Sequence, residues 1–322
     1  MHRNTSKKIF KNRFGHFRAG WRIIICLGMS IATFVPFAGL LKVWDLLSPE
    51  MGGSGGSDEL ASFVNIIYFI GLNICIIVGS WLTLRWIDKR PYALLGLDFN
   101  LGAVKDFAKG FLLGFLIFVI IFLALRIVGL IEIELSVMNS TLFTGIIKYF
   151  IVFTVAAVFE EVINRGYFFQ ALIEGTRTWI AVSIIAVVFI IGHASNPGFA
   201  WNNAVFFFIH GALYCILYLL TRSIWVPAGF HLAWNWTQGS LFGMNVSGTV
   251  VNDTLFSCET KGPVLLGGGE FGAEGSLISI IISIVFIMLL IKSKWLKPAA
   301  FRSALWRKYP IGFGLEPEDT DN

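Results

Sequence analysis

The residues best suited to chemistry in this 322-residue chain are two adjacent glutamates and an arginine at the end of a long apolar run. Glu160 and Glu161 follow the run 146–158, and Arg165 lies four residues after Glu161. An acid four residues before a base is the favourable order for an ion pair on a helix. Arg165 is therefore predicted to neutralise Glu161, which leaves Glu160 without a cation at helical spacing. An unpaired carboxylate is a residue type that general-base chemistry uses.

These charges are costly if the region lies in a membrane. An ionisable side chain near the bilayer centre costs about 2.5–3.5 kcal/mol on insertion scales. Three such side chains fall within six residues here. One explanation is a helix end whose charges extend to the membrane surface. The other is a polar site inside a helix bundle.

Three further polar side chains lie in apolar segments and favour the second explanation. His193 ends one segment, and His231 and Asn235 are four residues apart in another, which places them on one helix face. A single membrane histidine is more often an interhelical hydrogen-bonding group. Together with Glu160, however, there are four such groups on three segments, and each requires a polar partner inside the bundle. They are predicted to converge on one water-filled cavity.

His210 is expected to be structural and to point away from that cavity. It lies four residues after Phe206, among aromatic and aliphatic neighbours, and precedes Gly211 and Ala212. Such a small pair is suited to close helix packing.

Composition places these residues in a multi-pass membrane protein. The chain is 56% hydrophobic and 14% charged, with a mean hydropathy of +0.74; soluble domains are about 45–50% apolar. The net charge of +5 comes from basic residues at the ends of apolar runs, so we expect the lipid bilayer and no nucleic acid as a partner. The four cysteines include no CxxC pair, which indicates neither a disulfide framework nor a cysteine zinc site.

The predicted fold class is an all-α bundle of about eight transmembrane helices with both termini cytoplasmic, in the inner (plasma) membrane. The predicted spans are 21–47, 61–86, 110–131, 143–170, 179–195, 202–221, 224–242 and 276–292. Basic and non-basic loops alternate between them, which sets the orientation. We expect the cavity in the cytoplasmic half, although His193, at the far end of an outward-running span, does not fit this simply.

Three motifs, in this order and separation, resemble the CPBP family of intramembrane proteases. They are Glu-Glu-x-x-x-Arg at 160–165, Phe-x-x-x-His at 189–193 and His-x-x-x-Asn at 231–235. The family includes type II CAAX prenyl endopeptidases and bacteriocin-processing and immunity proteins. The resemblance covers roughly 140–245. One departure is Arg222-Ser223, where a Thr-Gly-Ser-like turn is common; it affects no catalytic position.

The resemblance implies an endopeptidase that cleaves a membrane-associated or lipidated protein or peptide. Glu160, assisted by His193, would activate a water molecule. His231 and Asn235 would hold the tetrahedral oxyanion. Peptide hydrolysis requires such a base and such donors.

The same resemblance implies supporting residues and leaves a metal open. Glu161 and Arg165 would fix the helix geometry. Glu160, His193 and His231 are a plausible zinc set, and the family has been called metalloprotease. A metal-free mechanism uses the same residues and is preferred, because no HExxH motif is present.

The resulting domain division has five parts. They are a basic cytoplasmic N-terminus (1–20), N-terminal transmembrane helices (21–142), catalytic core helices (143–245), an extracytoplasmic loop (246–275), and a last helix with a cytoplasmic tail (276–322).

Two other functions are compatible with a polar membrane bundle. A proton-coupled transporter would show paired broken helices in two related halves, and the sequence has no such repeat. The alternative is a catalytically inactive scaffold or immunity protein of the same fold. The complete set of motif residues favours the enzyme.

Overall fold

The chain forms a bundle of α-helices with one small β-sheet. The computed structural model describes residue 10 and residues 17–47 and 58–309. Residues 1–9 and 11–16 of the predicted basic N-terminus, the Gly/Ser-rich stretch 51–57 and the acidic tail 312–322 lie outside the described residues.

The described part of the chain contains the following α-helices in chain order. They are α1 (Ala19–Leu47), α2 (Asp58–Leu82), α3 (Leu101–Ile127), α4 (Ser140–Arg165), α5 (Tyr167–Gly175), α6 (Thr178–His193), α7 (Trp201–Thr221), α8 (Trp225–Trp236), α9 (Val264–Gly267), α10 (Leu277–Ser293) and α11 (Ala300–Lys308). A π-helical turn, Thr83–Asp88, follows α2, and a second, Thr237–Leu241, follows α8.

Five helical segments within the described ranges are long and apolar enough to cross a membrane. They are Ala19–Trp44, Ile70–Asp88, Leu101–Ile127, Ser140–Gly175 and Trp201–Thr221. Helices α6 and α10 are shorter apolar helices. The protein is thus a multi-pass helical membrane bundle. The count of eight spans and the cytoplasmic termini stay predictions, because the segment predicted as the seventh span consists of the twelve-residue helix α8 and a π turn.

Polar side chains at the helix starts explain where several helices begin. The Asn100 side chain accepts a hydrogen bond from the backbone of Ala103, and Asn139 accepts one from Leu142. Asparagine is among the strongest N-cap residues because its oxygen satisfies a backbone N–H that the helix leaves unpaired. The Asn100 cap starts α3 nine residues before the predicted third span.

Glycines bring α3 and α8 into close contact. A Cβ atom at Gly110 or Gly114 of α3 would collide with the backbone of α8, and one at Gly229 of α8 would collide with the backbone of α3. Small residues allow helix backbones to approach closely in membrane bundles. This packing positions α8, which carries two of the predicted site residues.

The two strands are a feature that the all-α prediction missed. β1 (Ile131–Leu135) pairs antiparallel with β2 (Phe256–Thr260), with Ile131 opposite Thr260. The sequence of β1 is Ile-Glu-Ile-Glu-Leu, and this alternation is the signal of a half-buried strand. Five residues directly after an apolar span were too few to separate from the loop.

Candidate active site

Glu160 and His193 lie face to face on two helices. The Glu160 Oε2 atom is 3.9 Å from the His193 Nε2 atom, and the two side chains are 29% and 15% exposed. Glu160 is in the last part of α4, and His193 is the last residue of α6. The pair therefore forms a polar contact between helices that remains partly accessible.

Helix α5 explains how two distant positions meet. It adds nine helical residues after the break at Gly166, before the turn at 176–177. Glu160 consequently lies fifteen residues before the end of α5, and His193 lies fifteen residues after the start of α6. The predicted fourth span ended at residue 170, so Glu160 was expected too close to the turn. At 1.5 Å per residue, His193 is about 22 Å along α6 from the turn.

The His193 ring has a defined orientation. Its Nδ1 atom is 2.8 Å from the backbone oxygen of Phe189. A carbonyl oxygen can only accept, so Nδ1 carries a proton. The ring also stacks on Phe207, with centroids 4.2 Å apart. These contacts leave Nε2 as the ring atom that faces Glu160.

Glu161 connects Arg165 and His231. Its Oε1 atom accepts from Arg165 Nη1 at 3.2 Å and lies 3.1 Å from His231 Nδ1. The predicted i,i+4 pair is thus present, and all three side chains are buried. The contact with His231 was not predicted, because it joins residues 70 positions apart and no helical spacing reports it.

Arg165 is enclosed by the core. Its Nη2 donates to the backbone oxygen of Gly211 at 3.0 Å, and its guanidinium lies 5.1 Å from the ring of Phe189 and 5.0 Å from that of Tyr214. Stacking on aromatic faces is a favourable environment for a buried guanidinium. The surrounding aromatic residues thus hold Arg165, and through it Glu161, in place.

The Glu160–His193 pair and the Glu161–His231 pair lie close together but are not hydrogen-bonded to each other. The ring of Phe189 lies 4.6 Å from His193 and 6.1 Å from His231, measured between centroids. Asn235, one turn after His231, is half-buried, and its side chain makes no hydrogen bond with the part of the chain that the structure describes. An amide that is partly accessible and not engaged in such a hydrogen bond can bind a substrate atom.

His210 has different partners. Its Nε2 is 3.0 Å from Ser283 Oγ, and its ring stacks on Phe206 at 4.0 Å. It is buried and makes no contact with Glu160 or His193. This placement agrees with a packing role between α7 and α10.

The placement of the candidate ligands does not match a zinc site. Among the side chains that the structure describes, no three His, Cys, Asp or Glu residues are arranged to hold a metal ion. Glu160, His193 and His231 therefore do not form a three-ligand set, and we derive no step through a metal.

The fold and this geometry define a membrane helix bundle with a glutamate–histidine site. Residues 141–237 match the protein-family model of the type II CAAX prenyl endopeptidase Rce1-like proteins. This segment runs from the first turn of α4 to just beyond α8 and contains all six predicted site residues. This part of the chain is therefore similar to CAAX-type proteases of the CPBP family. No curated protein and no solved structure matches the chain.

Proposed function

We propose that the chain is an intramembrane endopeptidase in which Glu160 activates the attacking water. The observation that carries this proposal is the 3.9 Å approach of Glu160 Oε2 to His193 Nε2. It joins two helices within the family domain, and both side chains remain partly accessible.

The separation suits one bridging water molecule. A distance of 3.9 Å is too long for a direct hydrogen bond, whereas a water can lie about 2.8 Å from both atoms. Because His193 Nδ1 carries a proton, the Nε2 of a neutral ring accepts. A water that donates one hydrogen to Nε2 and one to Glu160 directs a lone pair at the substrate carbonyl. Glu160 then takes the proton and passes it to the leaving amine.

His231 and Asn235 would stabilise the oxyanion. Because Glu161 is an ionised partner of Arg165, it accepts a hydrogen bond from His231 Nδ1. His231 can donate from Nε2 only when doubly protonated, and the adjacent carboxylate of Glu161 favours that cation. The Asn235 amide would be the second donor. Fixed donors aimed at developing charge are commonly the largest catalytic contribution.

The surroundings of the site indicate the substrate class. All three helices that carry the four residues are apolar, so a substrate that reaches them is a membrane-associated or lipidated protein or peptide. The inner (plasma) membrane is the proposed location, and zinc has no assigned role.

Proteolysis in membranes tests the proposal. Wild type, Glu160→Gln and the exposed control Glu134→Gln are expressed at matched levels, and the membrane proteome is compared for new protein termini. We expect termini that appear with wild type and Glu134→Gln and are lost with Glu160→Gln. Identical termini in all three would contradict the proposal and favour the inactive scaffold.

A further inference from the structure

Glu274 is a buried carboxylate outside the matched family segment. Glu274 lies in the short turn Ala273–Gly275 before α10, and the residue is 2% exposed. Among the described residues it forms no salt bridge. A buried carboxylate without a cation is costly unless hydrogen bonds satisfy it. The groups that donate hydrogen bonds to Glu274 therefore indicate which segment of the chain Glu274 fixes in place.

Ser247 supplies two of these donors. The Glu274 Oε2 atom accepts from the Ser247 backbone N at 2.6 Å and from its Oγ at 2.8 Å. Ser247 has a φ of 51°, a left-handed conformation that is uncommon for a residue other than glycine. The carboxylate thus fixes a backbone conformation that serine does not favour.

Ser247 also fixes the chain segment that follows His193. Its backbone oxygen accepts from the Asn196 side chain at 3.0 Å. The Asn196 backbone N donates to the oxygen of His193, also at 3.0 Å. A continuous hydrogen-bonded path therefore runs from Glu274 to the end of α6.

An aromatic contact links the same loop to the His193 ring. The backbone N of Gly248 donates to the oxygen of Phe271 at 3.1 Å. The Phe271 ring lies 6.0 Å from Phe207, which stacks on His193. The loop is therefore connected to His193 by two routes, one through the backbone of Asn196 and one through the ring of Phe207.

We propose that Glu274 is a positioning residue for His193, which it holds opposite Glu160 through Ser247 and Asn196. The importance of this for turnover rests on the proposed protease function. The hydrogen-bonded connection from Glu274 to His193 does not depend on that function. The 243–275 loop is thereby part of the functional unit, although it lies outside the matched family segment.

Hydrogen exchange tests the link without a substrate. The purified full-length protein is compared as wild type, Glu274→Ala, Glu274→Gln and Glu270→Ala. Glu270 is an exposed glutamate of the same loop and is the matched control. We expect Glu274→Ala to speed exchange at the Ser247 amide about tenfold, the factor for losing one charge-assisted hydrogen bond, and to speed exchange across 194–199.

The conservative variant keeps this test interpretable. The side-chain carbonyl of the introduced glutamine can accept the same two hydrogen bonds, so Glu274→Gln should retain most of the protection. Glu270→Ala should exchange like wild type. If Glu274→Ala is folded by its thermal melt and 194–199 exchange at the wild-type rate, the link is absent. If Glu274→Ala does not fold, Asn196→Ala breaks the same path without stranding a charge, and unchanged exchange in 197–199 overturns the proposal.

Kinetics then separate positioning from general stability. Once a cleaved substrate is known, Glu274→Ala and Asn196→Ala should lower kcat by up to about 100-fold with little change in KM, as expected for a catalytic group displaced by about 1 Å. Glu274→Gln should restore most of kcat. A change in KM alone would contradict positioning. If wild type and Glu160→Gln cleave equally, the protease proposal fails, while the exchange result still decides the link.

Discussion

At the scale of single residues, Glu161 determines the charge balance of the site. One carboxylate oxygen serves Arg165 and His231 at 3.2 and 3.1 Å, with all three side chains buried. Removing Glu161 would leave the buried guanidinium of Arg165 without its anionic partner. The six-residue motif therefore contains both the proposed base, Glu160, and the buried ion pair of Glu161 and Arg165.

Arg165→Met should lower the amount of folded protein more than Glu160→Gln does. Removing one partner of a buried ion pair costs roughly 3–5 kcal/mol, whereas Glu160 is partly exposed and has only the distant His193. Yield of monodisperse protein from matched expression cultures measures the difference. Equal yields together with full activity of Arg165→Met would show that the pair has no structural role.

Stability should depend on pH through Glu274. Burial raises the pKa of Glu274 from 4.5 to about 7. The folded state thus binds more protons than the unfolded state between these values, so the stability from this group is complete below pH 4.5 and is lost as pH rises through about 7.

Thermal melts of wild type and Glu274→Gln between about pH 5 and about pH 8 measure this effect. Wild type should lose more stability over this range than Glu274→Gln, whose side chain stays neutral. The other titratable groups whose fields reach Glu274, Tyr214 of α7 and His231 of α8, are common to both proteins and cancel in the difference. Parallel pH profiles would contradict the prediction.

Spacing within one helix was enough to predict the Glu161–Arg165 pair, because i,i+4 neighbours meet in any α-helix. It could not predict the contact of Glu161 with His231 or that of Glu274 with Ser247. Both depend on how separate segments pack, and a single sequence carries no periodic signal for such contacts.

At the scale of elements, the position of α8 depends on the glycines of α3. The backbone of α8 occupies the space that a side chain at Gly110 or Gly114 would need. Trp236 at the other end of α8 donates to the backbone oxygen of Ile146 at 3.1 Å. Helix α8 is thus fixed between α3 and α4, and His231 and Asn235 with it.

Gly110→Ala should therefore destabilise the protein and reduce activity. The added Cβ forces the backbones of α3 and α8 apart, and overpacking of this kind costs about 1–3 kcal/mol. Gly28→Ala is the matched control, since it is also a helical glycine and a Cβ there meets no atom within 4 Å. The thermal melting temperatures of both variants measure the effect. Equal melting temperatures would mean that α3 and α8 need not be close.

Long apolar helices were predictable from composition, whereas short elements were not. The Asn100 cap is a sequence signal for the start of α3, which begins nine residues before the predicted third span. The β1 alternation falls in the loop after the predicted third span, and the predicted fourth span ends at residue 170, within α5. The missed α5 is why His193 was expected at a depth different from that of Glu160.

At the scale of the whole molecule, the orientation in the membrane is open to a direct test. Alternation of basic loops predicts that Ser54 and Lys105 lie on opposite sides. Between them the structure has α2 and one π turn, which together include the span Ile70–Asp88. Reporter fusions at the two positions should report opposite compartments. The same compartment for both would require a different number of spans.

The C-terminal helix α11 has a consequence for biogenesis. Arg302 is 1% exposed and donates to Asp98 at 2.8 Å and to Asp106 at 2.5 Å, at the start of α3. During synthesis, both carboxylates leave the ribosome nearly two hundred residues before their cation. Until Arg302 has been synthesised, both acids lack the guanidinium that they bind in the folded protein. Chains shortened before residue 300 should be inserted but degraded, and pulse-chase labelling should show a shorter half-life than for chains ending at 309.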